Sequence, residues 1–156
     1  MPYITTSRKA SQVTRRLARS LSHFFPESYY ENRGKRDMDS VLARARQLGF
    51  ARVVFVYESH GNPSEIDFID VGKDSWSRAG KISFTVVAVG KVPKGPYALE
   101  CDGSACNVAA LFRDPGMGPD DEGHEGDTVA NLSLRNNYLT FSIGGKETIK
   151  LKMAED

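Results

Sequence analysis

Three arginines with helical spacing are the residues of this sequence best suited to bind a polyanion. Arg15, Arg16 and Arg19 fall on the face of a predicted helix opposite its apolar positions, with no Asp or Glu among them. Like charges three or four residues apart repel by roughly 0.2–0.5 kcal/mol per pair, so this arginine row does not serve helix stability. Because guanidinium groups pair with phosphate oxygens, the row predicts a surface for nucleic acid or another polyphosphate.

Two basic turns, each placed just before a predicted helix, add to this surface. Residues 7–9 (Ser-Arg-Lys) precede the arginine-bearing helix, and residues 32–36 (Asn-Arg-Gly-Lys-Arg) precede a second one. Helix N-termini favour anions because their N–H groups are unpaired and the helix dipole is positive there. Gly34 is suited to a positive φ. Tyr29 and Tyr30, beside the second turn, have two open roles: stacking on unpaired bases, or packing within an edge strand.

Other candidate chemistry is weaker. Cys101 and Cys106 are separated by four residues, with no second pair and no His at ligand spacing. We expect two free thiols, with a local disulfide as the alternative, and we expect neither a metal nor a cofactor. An acidic loop at residues 113–127 contains the run 120–122 (Asp-Asp-Glu), which is expected to solvate the loop rather than hold a cation. No nucleotide-binding or zinc-protease motif occurs, so no catalytic residue is predicted.

Composition and charge place these residues in a small globular protein. The chain has 156 residues, of which 40% are hydrophobic and 26% charged, which excludes disorder, and no apolar run approaches the ~18–20 residues of a membrane span. We expect a cytoplasmic protein. Residues 1–52 hold eleven Lys/Arg against four acids, and the rest holds ten against sixteen. This predicts one domain, 1–156, with a basic half (1–75) and an acidic half (76–156), unless the halves simply neutralise each other.

The predicted elements belong to the α/β (α+β) class. The first half has the order β-α-β-α-β-β, with Ser11 and Asp37 as N-caps of its two helices. Val13, Leu17 and Leu21 head the apolar stripe of the first helix, and Gly49 is placed to end the second. Residues 52–57 form a strand that is apolar on both faces. The second half is mostly strands with one short helix at about 104–112.

At these same residues the chain resembles the Brix-domain family of ribosome-biogenesis proteins, and most of all its short archaeal members. The motifs that carry the resemblance are residues 4–11 (Ile-Thr-Thr-Ser-Arg-Lys-Ala-Ser), 31–35 (Glu-Asn-Arg-Gly-Lys), 54–56 (Val-Phe-Val) and 61–63 (Gly-Asn-Pro). Ala10 stands where many members have proline. The resemblance implies two half-domains, each similar to the anticodon-binding domain of class II aminoacyl-tRNA synthetases, and binding of precursor rRNA without catalysis.

Resemblance and helix geometry together predict a non-enzymatic RNA-binding factor for ribosome assembly and rRNA processing. Its partners would be precursor rRNA and also ribosomal proteins or other assembly factors, with no membrane. The alternatives are a tRNA-binding module, a small metal-dependent nuclease or phosphoryl-transfer enzyme, and a protein–protein adaptor. The predicted RNA-binding residues are Ser7, Arg8, Lys9, Arg15, Arg16, Arg19, Asn32, Arg33, Gly34, Lys35 and Arg36.

Overall fold

The computed structural model describes residues 2–25, 27–113 and 128–154, and it has the predicted α/β character. Its first half follows the predicted order β-α-β-α-β-β, and its second half combines strands with one short helix. β6 is a strand that the sequence pattern did not predict. The elements are β1 (Pro2–Thr6), α1 (Gln12–Phe24), β2 (Tyr29–Tyr30), α2 (Met38–Gln47), β3 (Arg52–Ser59), β4 (Asn62–Val71), β5 (Trp76–Val89), β6 (Tyr97–Cys101), α3 (Ala105–Leu111), β7 (Thr128–Arg135), β8 (Tyr138–Ile143) and β9 (Lys146–Met153).

The strands form one sheet in the order β2-β1-β3-β4-β5-β9-β8-β7-β6. β1 is parallel to both β2 and β3, whereas β4 and β5 continue the sheet in antiparallel fashion. The long strand β5 serves both halves, because residues 76–83 pair with β4 and residues 84–89 pair with β9. The basic first half and the second half therefore share one continuous backbone ladder.

Helices α1 and α2 pack on opposite faces of the first half of the sheet. Alternate residues of β3 face the two helices: Val54 and Val56 lie in the core that contains α1, and Val53 and Phe55 lie in the core that contains α2. This confirms that β3 is buried on both faces. The outer surface of α1, which carries the arginine row, thus points away from α2.

The buried stripe of α1 differs from the prediction at one position. Val13 is 40% exposed, whereas Thr14 is fully buried. The helix is rotated toward Thr14 because its hydroxyl donates to the carboxylate of Glu58 on β3. Leu17 and Leu21 are buried as predicted.

Aromatic contacts at the end of α1 join the two halves. The Phe24 ring packs edge-on against Phe141 of β8 at 5.0 Å between centroids. Phe25 stacks on Phe112 at 4.1 Å. Burying such rings stabilises the fold by about 1.5–3 kcal/mol each, so α1 is held in place by both halves of the chain.

The expectation of two free thiols is wrong, because Cys101 and Cys106 form a disulfide. Their Cα atoms lie 5.1 Å apart, within the range that a disulfide spans. A turn with Gly103 at φ 50° brings the end of β6 back to the start of α3, a proximity that four intervening residues alone do not specify. The acidic run 120–122 lies outside the described residues.

Two absences concern the described part of the chain. Within it, no helix is long and apolar enough to cross a membrane. Nor does it contain a group of three or more His, Cys, Asp or Glu side chains arranged to hold a metal ion.

Candidate nucleic-acid interface

The two basic turns lie in direct contact with each other. The Arg8 guanidinium donates from Nη2 to the Lys35 carbonyl at 3.1 Å, and the Lys9 N–H donates to the Gly34 carbonyl at 3.4 Å. Gly34 has φ 62°, as predicted, and Lys9 has φ 51°. The two turns follow β1 and β2, and because these strands are parallel, both turns lie at the carboxyl ends of these strands. Arg8, Lys9 and Lys35 are all exposed there.

The N-terminus of α1 is not open to a phosphate, contrary to the sequence-based expectation. Oε2 of Glu58 accepts hydrogen bonds from the Ser11 N–H at 3.0 Å, from the Ser11 hydroxyl at 2.8 Å and from the Thr14 hydroxyl. Burial opposes ionisation of this carboxyl group, but these hydrogen bonds outweigh it and hold the pKa of Glu58 below its usual value. An internal carboxylate thus occupies the position assigned to an external anion.

The N-terminus of α2 is likewise satisfied from within the chain. Asp37 accepts from the Ser40 N–H at 2.8 Å, which is the predicted N-cap. This hydrogen bond is the main reason that the pKa of Asp37 is lowered, and the nearby charges of Arg8 and Arg33 add to it. Anion binding at the two turns therefore depends on their side chains rather than on helix ends.

Arg33 is a buried residue of the second turn. It is 7% exposed, and its Nε donates to the Arg36 carbonyl at 3.0 Å while Nη1 donates to the Thr6 carbonyl at 3.3 Å. Its guanidinium also lies over the Phe55 ring, 5.4 Å from the centroid. Arg33 therefore ties the second turn to the end of β1.

Glu31 collects several donors beside the second turn. Its carboxylate accepts from Arg36 at 2.7 Å, from Arg44 at 3.2 Å and from the Tyr3 hydroxyl at 2.8 Å. The hydrogen bond from Arg44, helped by those from Arg36 and the tyrosines and opposed by burial, lowers the pKa of Glu31 to about 2. The charge of Arg36 is therefore offset within the chain.

The arginine row of α1 lies open to solvent. Arg15, Arg16 and Arg19 are exposed, and none of them forms an ion pair with a carboxylate of the described residues. The Arg19 guanidinium lies 5.5 Å from the centre of the Tyr30 ring. Burial raises the pKa of Tyr30, and the nearby charges of Arg19 and Arg15 oppose this rise. The row thus borders the edge strand β2.

Ser7, Asn32 and the two tyrosines complete the predicted set. The Ser7 N–H donates to the Val56 carbonyl at 2.9 Å, while its buried hydroxyl has no hydrogen-bond partner among the described residues. Asn32 accepts from the Tyr30 hydroxyl. Tyr29 stacks on Phe50 at 5.7 Å between centroids, on the side of α2. Both tyrosine rings thus pack within the protein, and stacking on bases stays a prediction.

Six exposed cationic side chains consequently lie together without a salt bridge to any carboxylate that the structure describes. Sequence reasoning identified these six, but it missed two glutamates. Glu31 neutralises Arg36, and Glu58 accepts hydrogen bonds from the N-terminus of α1. A signal was present, because Glu31 directly precedes the second turn and Glu58 ends a buried strand. We call the six the basic face: Arg8, Lys9, Arg15, Arg16, Arg19 and Lys35.

Comparison with known proteins supports a family relationship. No family model matches the chain. A probable Brix domain-containing ribosomal biogenesis protein of Pyrococcus abyssi is 35% identical over 80 residues, covering 51% of this chain and 36% of the relative. The corresponding protein of Methanothermobacter thermautotrophicus is 45% identical over 67 residues, covering 43% of this chain and 40% of the relative. The aligned segments thus span well under two thirds of these relatives.

Solved structures extend the likeness to the whole chain. The crystal structure of Mil, an archaeal Imp4-like protein, has a TM-score of 0.69 at 28% identity, covering 98% of this chain and 97% of that one. The chain is a homologue of Brix-domain proteins. A probable ribosomal biogenesis protein from Aeropyrum pernix has the same fold, with a TM-score of 0.70 at 23% identity over 99% of this chain.

The homology to Brix-domain proteins confirms the resemblance predicted from the turn motifs. The mixed α/β fold is confirmed as well, with one large sheet and three helices in the described residues. The likeness of each half to an anticodon-binding domain stays a prediction.

Proposed function

We propose that this Brix homologue is a non-catalytic factor of ribosome assembly that binds precursor rRNA through its basic face. The single observation that supports this most is the absence of salt bridges from six clustered cations to the carboxylates of the described residues. Clustered, unneutralised arginines destabilise an isolated surface and suit a partner that brings phosphates. The protein acts in the cytoplasm, with ribosomal proteins or other assembly factors as further partners.

The proposed contacts divide the predicted residues by role. Arg8, Lys9 and Lys35 contact phosphates at the touching turns, and the α1 row continues the path along the molecule. Ser7, whose hydroxyl is buried, positions the first turn through its N–H, which donates to the Val56 carbonyl. Arg33 and Gly34 position the second turn, and Asn32 offers its amide beside Tyr30.

Salt dependence tests this proposal directly. If all six cations contact phosphates, the logarithm of affinity falls by about 4–5 units per log unit of salt, since each contact contributes roughly 0.7–0.9. The triple variant R15Q/R16Q/R19Q should lower that slope by about 2–3. The matched control is K73Q/K146Q/K152Q, which removes the same charge from exposed lysines that do not belong to the basic face. Fluorescence anisotropy with labelled rRNA fragments across a salt series measures the salt slope of each variant.

If the two triple variants lose the same affinity and the same salt slope, the basic face is not the binding site, because net charge alone would then explain binding. Unlabelled tRNA as competitor distinguishes rRNA binding from a tRNA-binding module. Cleavage of the RNA that requires Mg²⁺ would favour the nuclease alternative, and no binding at all would favour the adaptor.

A further inference from the structure

A loop of the second half, residues 90–94, is held by hydrogen bonds against the C-terminal half of α1. The Ser20 hydroxyl donates to the Gly90 carbonyl at 3.2 Å, and Nδ1–H of His23 donates to the Val92 carbonyl at 2.7 Å. The Val92 side chain is 1% exposed within the core. Three attachments to one helix and its core hold this short segment in a defined place.

The two lysines of this loop are exposed, and each is next in the chain to a residue whose carbonyl accepts a hydrogen bond. Lys91 lies between Gly90 and Val92, the two residues whose carbonyls bind α1. Lys94 follows Pro93, whose carbonyl accepts from the Tyr97 hydroxyl at 2.5 Å. The backbone is thus fixed on each side of the lysines, while their side chains are free to reach a ligand.

The attachments place the loop next to the arginine row. Ser20 lies one helical turn after Arg16, and His23 lies one turn after Arg19, so each pair shares a strip of the helix surface. The loop therefore lies beside the C-terminal part of α1, on the same helix surface that carries the arginines one turn earlier. Its two lysines extend the row toward the second half.

Charge supports a common role for the two segments. Neither residues 7–25 nor residues 84–99 contain an Asp or Glu, and Glu27, just after α1, is the first acid that follows the row. Residues 84–99 therefore bring two lysines and no carboxylate to the side of α1.

We infer that Lys91 and Lys94 belong to the RNA-binding surface, which thus runs from the touching turns along α1 onto the second half. This inference rests on the proposed function. The partner is an RNA strand whose phosphates follow α1 and continue past its C-terminal end. The attached loop aligns the lysines before binding, which reduces the entropy lost when RNA binds.

The test compares K91Q/K94Q with K73Q/K152Q, two exposed lysines outside the loop, in the full chain. It uses a labelled single-stranded rRNA fragment of about 12 nucleotides, within the ~4–16 nucleotide range of such sites. We expect the first variant to lower the salt slope by about 1.4, since each single-strand contact contributes roughly 0.7. The control should leave the slope unchanged. Urea unfolding of both variants checks that the fold is retained.

A second variant tests the attachment itself. S20A keeps every charge but removes one hydrogen bond to the loop, so we expect weaker binding with an unchanged salt slope. If K91Q/K94Q binds like the control while R15Q/R16Q/R19Q loses affinity, the lysine inference is wrong and the proposed function stands. If none of these variants changes binding, both fail.

Discussion

Replacement of Glu31 by Gln provides a stringent test of how the second turn is held. Glu31 accepts hydrogen bonds from Arg36, Arg44 and two tyrosines, and its pKa is about 2 in place of the ordinary 4.5. At 1.36 kcal/mol per pKa unit, this corresponds to about 3 kcal/mol of stability above pH 4.5. Since the Arg36 and Arg44 side chains are 42% and 38% exposed, solvent screening reduces the expected effect to about 1–2 kcal/mol.

The pH dependence has a definite sign. The folded-state pKa of Glu31 is lowered, so its contribution is complete above about pH 4.5 and is lost as the pH falls toward 2. At pH 3 less than half of it remains. E31Q should therefore unfold at lower urea than wild type at pH 7, and the difference should shrink at pH 3. The control is E100Q, an exposed glutamate without an ion pair among the described residues.

RNA binding supplies an independent readout of the same variant. E31Q releases Arg36 from its carboxylate, so the salt slope of RNA binding should stay the same or become steeper by up to about 0.9. Equal urea midpoints of E31Q and wild type at pH 7 would refute the stabilising role of Glu31. A difference that persists unchanged at pH 3 would refute the assigned pKa.

Two further changes probe single features of the fold and site. R33Q should lower the free energy of unfolding by about 1–3 kcal/mol, because the Thr6 and Arg36 carbonyls lose their donor. Urea unfolding measures this change. A flatter salt dependence of RNA binding without any destabilisation would instead make Arg33 a direct phosphate contact. Reduction of the Cys101–Cys106 disulfide, or the variant C101S/C106S, should lower the free energy of unfolding by about 2 kcal/mol, the value expected for so short a closed loop. A urea midpoint that dithiothreitol leaves unchanged would contradict this.

Local patterns predicted much of the fold because they depend on neighbours in the chain. The capping side chains of Ser11 and Asp37 act within one helical turn, and the positive φ of Gly34 and Gly49 reflects turn chemistry. The apolar run of β3 indicates burial on both faces wherever the strand lies. Thr14, by contrast, became buried in place of Val13 through a partner 44 residues away on β3.

The candidate site shows the same division. The types and spacing of Arg15, Arg16 and Arg19 were enough to predict an exposed row, because the opposite side of an amphipathic helix must face the core. Whether Arg33 and Arg36 were available to a ligand was not readable from the turn in which they lie. The first is covered by β1 and Phe55, and the second pairs with Glu31.

By itself, the sequence determined which side chains carry positive charge, where the helices begin and which family motifs are present, since each depends on residues close together in the chain. Tertiary structure alone decided that the two turns touch, that Glu58 occupies the start of α1 and that the 90–94 loop lies beside the arginines. These contacts join residues 25 to 70 positions apart. Such distances are closed by sheet pairing and core packing, which no local pattern encodes.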